Sequence, residues 1–117
     1  METKKLNTNY EYELADGRKV NLTLCFYKLY QLKTKNKKLY ERYNKTYTHM
    51  QNKKEFEELD LIFMLYVAYV CANMDDENLL TEEEFMVLCG GDRVGTSDAY
   101  SHLTNPKKIK ASELRSN

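Results

Sequence analysis

Leu59-Asp-Leu-Ile-Phe-Met-Leu-Tyr-Val-Ala-Tyr-Val-Cys-Ala72 is the stretch that decides how this chain folds. From Leu61 to Ala72 it runs twelve residues without a charge or an amide. A membrane-spanning helix needs roughly 18 or more such residues, so this run is too short to cross a bilayer. It is also longer than a buried strand usually is, and Met64, Leu65, Ala68 and Ala72 are good helix formers. The spacing predicts a helix from about Lys53 to Asn73, roughly 30 Å long at 1.5 Å per residue. Glu55, Glu57, Glu58 and Asp60 fall in its first turns, where the helix dipole favours negative charge. Its second half is apolar all round and therefore has to be covered on most sides, by this chain or by another copy.

Upstream, two short segments alternate with period two: Tyr10-Glu-Tyr-Glu-Leu14 and Val20-Asn-Leu-Thr-Leu24. The Asp16-Gly17 pair between them signals a hairpin, because Gly accepts positive φ cheaply. Tyr10, Tyr12 and Leu14 share one face, and Val20, Leu22 and Leu24 share one on the second strand. A two-stranded ribbon is marginal alone, so it should lie on the helices or join another subunit's edge. From Cys25 the period becomes helical. Phe26, Leu29, Tyr30 and Leu32 or Lys33 predict a short helix to about Lys33. Leu39, Tyr40, Tyr43 and Tyr47 predict a second, capped by Thr34 or Asn36 and broken at His49-Met50-Gln51-Asn52. Downstream of the apolar run, Thr81 with Glu84 three residues on forms a capping box that opens a helix closed by Cys89-Gly90-Gly91. A last short helix is expected over Ser97 to Leu103. The fold class is thus mainly α (α+β), an N-terminal hairpin over 9–24 followed by four or five helices around a central hydrophobic helix. Residues 1–105 form one domain, and 106–117 lack apolar periodicity and are expected to be disordered.

Composition bounds the function. With 117 residues the chain has room for one real core, and charged residues at 31% balance to zero, so bulk charge argues neither for nor against nucleic acid or an anionic membrane. Its three cysteines are an odd number, each beside apolar residues, which suits reduced buried thiols in a cytosol. Met1 to Glu13 contains no apolar leader segment, so secretion is not expected. Charge is nevertheless segregated: residues 33–54 carry eight Lys or Arg against Glu41 alone, while 55–84 carry ten acids and no base. A basic helix interleaved with Tyr40, Tyr43 and Tyr47 suits a nucleic-acid-binding regulator, with lysines on phosphates and tyrosines on bases. The plainer reading makes the tyrosines its buried face and the lysines its solvated one.

Chemistry finds little footing. Residues 73–84 place Asp75, Glu77 and Glu84 at the third, fifth and twelfth positions of a calcium loop, which would make a calcium-responsive adaptor. The first position is Asn73 and the sixth is Asn78 where Gly is wanted, and Thr81 and Glu84 already serve as a capping box. His49 and His102 sit in no metal-ligand or nucleophile motif. Cys89 lies at a helix C-terminus, the wrong end to activate a thiol. Gly90-Gly-Asp-Arg-Val-Gly95 lacks the Lys-Ser/Thr of a P-loop. No catalytic residue, metal or cofactor is expected.

Three stretches taken in this order resemble the tail assembly chaperones of siphophages and prophages of Gram-positive bacteria: VNLTLCFYKLYQLKTKNKKLYERYNK (20–45), DLIFMLYVAYVCANMDDENLLTEEEF (60–85) and CGGDRV (89–94). The resemblance covers roughly residues 9–106. It implies a non-enzymatic chaperone in the host cytoplasm, absent from the finished virion, that keeps the long helical tape measure protein soluble until tube subunits polymerise around it. It also implies a longer frameshifted product that recruits the tail tube protein, with Lys107 to Lys110 lying where the slippery run is expected. An apolar groove for a helical client needs anchors at i, i+3, i+4 spacing. The candidates are Phe63, Tyr66, Val67 and Val70 on the central helix and Phe85, Met86 and Cys89 on the next, with Met64, Met74 and Met86 supplying adaptable surface. Several copies along one client would form a homo-oligomer, stacking basic flank on acidic flank.

Overall fold

The apolar run is a helix, and the other elements are laid around it. The structure, a computed structural model, describes residues 9–52 and 57–105. In chain order it contains strands β1 (Asn9–Glu13) and β2 (Lys19–Thr23). Helices α1 (Phe26–Lys35), α2 (Lys37–Asn52), α3 (Glu58–Ala72), α4 (Glu82–Cys89) and α5 (Arg93–Thr104) follow. The four residues with which the central helix was expected to open, 53–56, lie outside the described residues, as do 1–8 and the tail 106–117.

β1 and β2 pair antiparallel with Tyr10 opposite Leu22 and Tyr12 opposite Val20. Gly17 N–H donates to the Leu14 carbonyl at 2.9 Å, and Leu14 N–H donates to the Arg18 carbonyl at 2.7 Å. Only Gly17 has positive φ in this turn, at 93°, so the loop is a three-residue type I turn closed by a left-handed glycine. The ribbon does not stand alone. Tyr12, Leu14, Leu22 and Leu24 bury their side chains, and the hairpin rests on α3 through β2 and on α5 through β1.

α3 touches β2, α1, α2, α4 and α5. Met64, Leu65, Val67, Ala68 and Cys71 are wholly buried, which is why a helix with no polar face is stable here. Each fully buried Leu or Val contributes about 1.5–3 kcal/mol relative to exposure. Beyond its C-terminus, Asn73 Nδ2 donates to the Tyr69 carbonyl at 2.8 Å and the Asn21 carbonyl at 3.1 Å, capping α3 and tying it to β2.

Three helix ends differ from expectation. α3 opens at Glu58 rather than at about Lys53, because Glu57 is extended and serves as its N-cap. α2 does not break at His49 but runs to Asn52, because Met50, buried, carries the core contact begun by Leu39 and Tyr43 to the end of the helix, while Tyr47 between them is exposed. Asn36, rather than Thr34, caps it, accepting from Leu39 N–H at 3.2 Å; Thr34 bonds back to the Tyr30 carbonyl. α5 begins at Arg93, four residues before Ser97. Asp92 is its N-cap, one carboxylate oxygen accepting from Gly95 N–H at 2.9 Å and the other from the Tyr12 hydroxyl at 2.9 Å. The capping box of α4 forms as expected, Thr81 Oγ1 accepting from Glu84 N–H and Glu84 Oε1 accepting from Thr81 N–H.

Gly95 is required by that cap: a Cβ there would run into the Asp92 carboxylate. Gly95→Ala is expected to evict the carboxylate and lose its bonds to both Gly95 N–H and Tyr12. The loss should be about 1–2 kcal/mol, the cost of deleting a cap. A urea melt checks it, and adding Tyr12→Phe to Gly95→Ala should cost less than it does in the parent protein.

Candidate functional site

Between the first half of α3 and the junction of α4 and α5 lies a groove of about 310 Å³. Leu59, Leu61 and Ile62 form one wall, Met86 and Cys89 the second, and Asp92, Arg93, Thr96 and Ser97 the third, with Gly90 and Gly91 at the corner. Leu61, Cys89 and Thr96 are its buried floor. Leu59, at 61% exposed, stands on its rim. Arg93 Nε reaches Glu58 Oε1 at 3.0 Å and Oε2 at 2.8 Å from the wall opposite. Both side chains are exposed, so this pair orients the rim more than it stabilises the fold. Val87 and Val94 add exposed apolar surface on α4 and α5.

Of the seven anchors expected from the sequence, the structure presents two. Phe63, Val67, Val70 and Phe85 are internal, enclosed because α3 is covered by β2 and by helices on its other sides, and no partner reaches them in this conformation. The Arg42 guanidinium lies 4.0 Å from the Phe63 ring centroid while pairing bidentately with Glu82 at 2.8 and 3.0 Å, which roofs that ring. Tyr66 is half-buried, its hydroxyl donating to the Leu80 carbonyl at 3.0 Å. Met86 is half-buried and lines the groove, and Cys89, buried, contributes only to its floor. Met64 is likewise internal, while Met74 is half-buried. The sequence reading missed Leu59 and Ile62. The run itself gave no signal for them, since apolar residues follow on every side of the helix from Leu61 onward.

Cys89 carries no activated thiol. Burial pushes it up to about 11, with the neighbouring Tyr12 hydroxyl acting the other way and the Asp92 charge adding to the rise. The same environment raises Tyr12, chiefly by burial and then by its bond to the Asp92 carboxylate. The Tyr12–Asp92 bond, with Ala15 N–H donating to the Leu88 carbonyl at 2.8 Å, thus locks the hairpin to the α4–α5 corner behind the groove. Cys25, Cys71 and Cys89 are all free thiols. In the acidic segment 73–84, Glu84 is occupied by its capping box and Asp75 faces Lys35 at 3.7 Å. Among the described residues no group of three or more His, Cys, Asp or Glu side chains could hold a metal ion.

A second apolar surface lies on α1. The sequence spacing put Phe26 and Tyr30 on the face shared with Leu29, but only Leu29 and Leu32 are buried. Phe26 is 89% exposed, Tyr30 67% and Tyr27 65%. On α2, Tyr40 and Tyr43 pack against the core and stack along the helix with Tyr47 at 6.0 and 6.1 Å. Among the described residues no helix is long and apolar enough to cross a membrane. No protein-family model matches this chain, and neither does any curated protein or solved structure.

Proposed function

We propose that this chain is a non-enzymatic tail assembly chaperone of a phage or prophage. It holds the apolar, helical tape measure protein soluble in the bacterial cytoplasm and leaves before the virion is complete. The observation that carries the reading is the groove between α3, α4 and α5, with Leu59, Ile62 and Met86 accessible along it. Two of its walls are apolar, the third is polar and carries Arg93, and Met86 adapts to successive side chains of a repetitive helix. The longer frameshifted form that would recruit the tail tube protein, and the homo-oligomer that would coat a long client, belong to the same proposal.

Co-expression with the long helical protein encoded downstream, followed by pull-down and sedimentation, tests it. The expected result is a soluble complex with many copies per client. A tape measure protein that is soluble without this chain would overturn the reading. Leu59→Glu is expected to weaken capture by at least about 30-fold if the rim position is a binding hot spot. Because Leu59 is exposed, the variant's unfolding free energy should stay within about 0.5 kcal/mol of the parent's.

A further inference from the structure

The outward face of α1 is unexplained by the core and lies on a different element from the groove. Phe26, Tyr30 and Lys33 fall at i, i+4 and i+7, one stripe along the helix, with Tyr27 beside Tyr30. Leu29 and Leu32 alone anchor α1, so the three aromatic rings are not needed for its packing. Asn36 is shared as the C-cap of α1 and the cap of α2, so Lys37 and Lys38 follow directly on the stripe. The Lys33 ammonium lies 5.7 Å from the Tyr40 ring centroid, which joins the two helices' surfaces. Across both helices the one acid is Glu41. Lys33, Lys37, Lys38 and Lys45 have no ion-pair partner among the described residues, whereas Arg42 and Lys35 do.

We infer that this aromatic and basic face of α1 and the start of α2 binds single-stranded nucleic acid. Charge complementarity selects a polyanion: Lys33, Lys37 and Lys38, with Lys45 two turns further along α2, have no ion-pair partner among the described residues, and Glu41 is the one carboxylate on the two helices. The exposed rings select one with accessible flat bases, since a stacked duplex hides the faces that aromatic side chains take up. An apolar protein helix would want an uninterrupted hydrophobic strip, and here Lys33 and Thr34 interrupt it. The contacts are to backbone phosphates and base faces, so the binding has little sequence preference. It does not rest on the chaperone reading, and either can fail without the other.

Fluorescence anisotropy of a short fluorescein-labelled oligouridylate with the full chain tests it. Neutralising about four phosphates predicts a slope of log K against log salt near −3. Tyr30→Ala should weaken binding by roughly 5- to 100-fold, the range for losing one base stack. Lys37→Glu with Lys38→Glu should abolish it at about 150 mM salt. All of these side chains are exposed, and circular dichroism melts should match the parent. Retention of the oligonucleotide with these dependences supports the assignment. Three results overturn it: no binding at low salt, polyglutamate competing as well as oligouridylate with Tyr30→Ala unchanged, or equal affinity for duplex. A helical peptide captured on this face while oligouridylate is not retained overturns it as well.

Discussion

Phe85→Ala should be the most damaging single truncation, costing about 3–5 kcal/mol, the range for removing a buried aromatic ring and leaving its cavity. Phe85 has no exposed surface and sits against the rings of Tyr69 at 5.3 Å and Tyr66 at 5.7 Å. Those tyrosines are themselves fixed by polar ends: Tyr66 donates to the Leu80 carbonyl, and Tyr69 accepts from Leu80 N–H at 2.9 Å. Neither ring can swing into the cavity without breaking a bond to the α3–α4 connection, so relaxation is restricted and the cost belongs at the upper end. A domain of this size has about 5–15 kcal/mol in total, so the variant should be near its threshold. Urea denaturation should show a lower midpoint with an unchanged slope. Amide exchange at Leu80 should accelerate, since its acceptor is no longer held in place. Val87→Ala on the same helix, whose side chain is 69% exposed, should change stability by no more than about 0.5 kcal/mol. Equal effects of the two substitutions would show that Phe85 is not the keystone between α3 and α4.

The order of elements could be read from the chain because each announced itself by a local rule. Period two with Asp16-Gly17 gave the hairpin, the twelve-residue apolar run gave α3, and Thr81 with Glu84 gave the start of α4. Where reading failed, the deciding interaction was not local. Met50 sits in a polar segment that looks like a break, and only packing against the core keeps α2 going. The last helix was expected only from Ser97, yet it opens at Arg93 because Gly95 makes room for the Asp92 cap, whose other oxygen is claimed by Tyr12 eighty residues away. The groove was the least legible feature. An all-apolar helix gives no phase by which to choose an exposed face, so Phe63, Val67 and Val70 looked as available as Leu59 and Ile62. What separates them is the placement of β2 and the neighbouring helices around α3. On α1 the reverse held: Phe26 and Tyr30 read as core by spacing, and only the sufficiency of Leu29 and Leu32 leaves them outside.

Alkaline pH should unfold this protein well before it would unfold one whose thiols were exposed. Burial raises Cys71 from 9.0 to about 12 and Cys89 from 9.0 to about 11. Tyr12 and Tyr43 are also raised, by burial first, and then by the Asp92 bond for Tyr12 and by neighbouring Tyr47 for Tyr43. Each of these groups is neutral when protonated, so the folded state holds protons that the unfolded chain has already released. The stabilisation is therefore complete below the unfolded-state values near 9 and is lost as pH rises toward the folded ones. In that window each thiol lowers stability by about 1.4 kcal/mol per pH unit. Two thiols between pH 9 and 11 come to about 5 kcal/mol, comparable to the lower end of a domain's whole stability. Urea midpoints should be level from about pH 7 to 8.5 and then fall steeply. Cys71→Ala should be somewhat less stable at neutral pH, from the lost sulfur contacts, and should shallow the alkaline slope by about one thiol's share. That crossing of two profiles separates a buried, proton-holding thiol from a general sensitivity to base, because a packing defect alone would displace the whole curve without changing its slope. A parent profile level to pH 11 would mean that Cys71 and Cys89 ionise in the folded protein as readily as in the unfolded chain, and that water reaches the interface of α3 with α1 and the corner behind the groove.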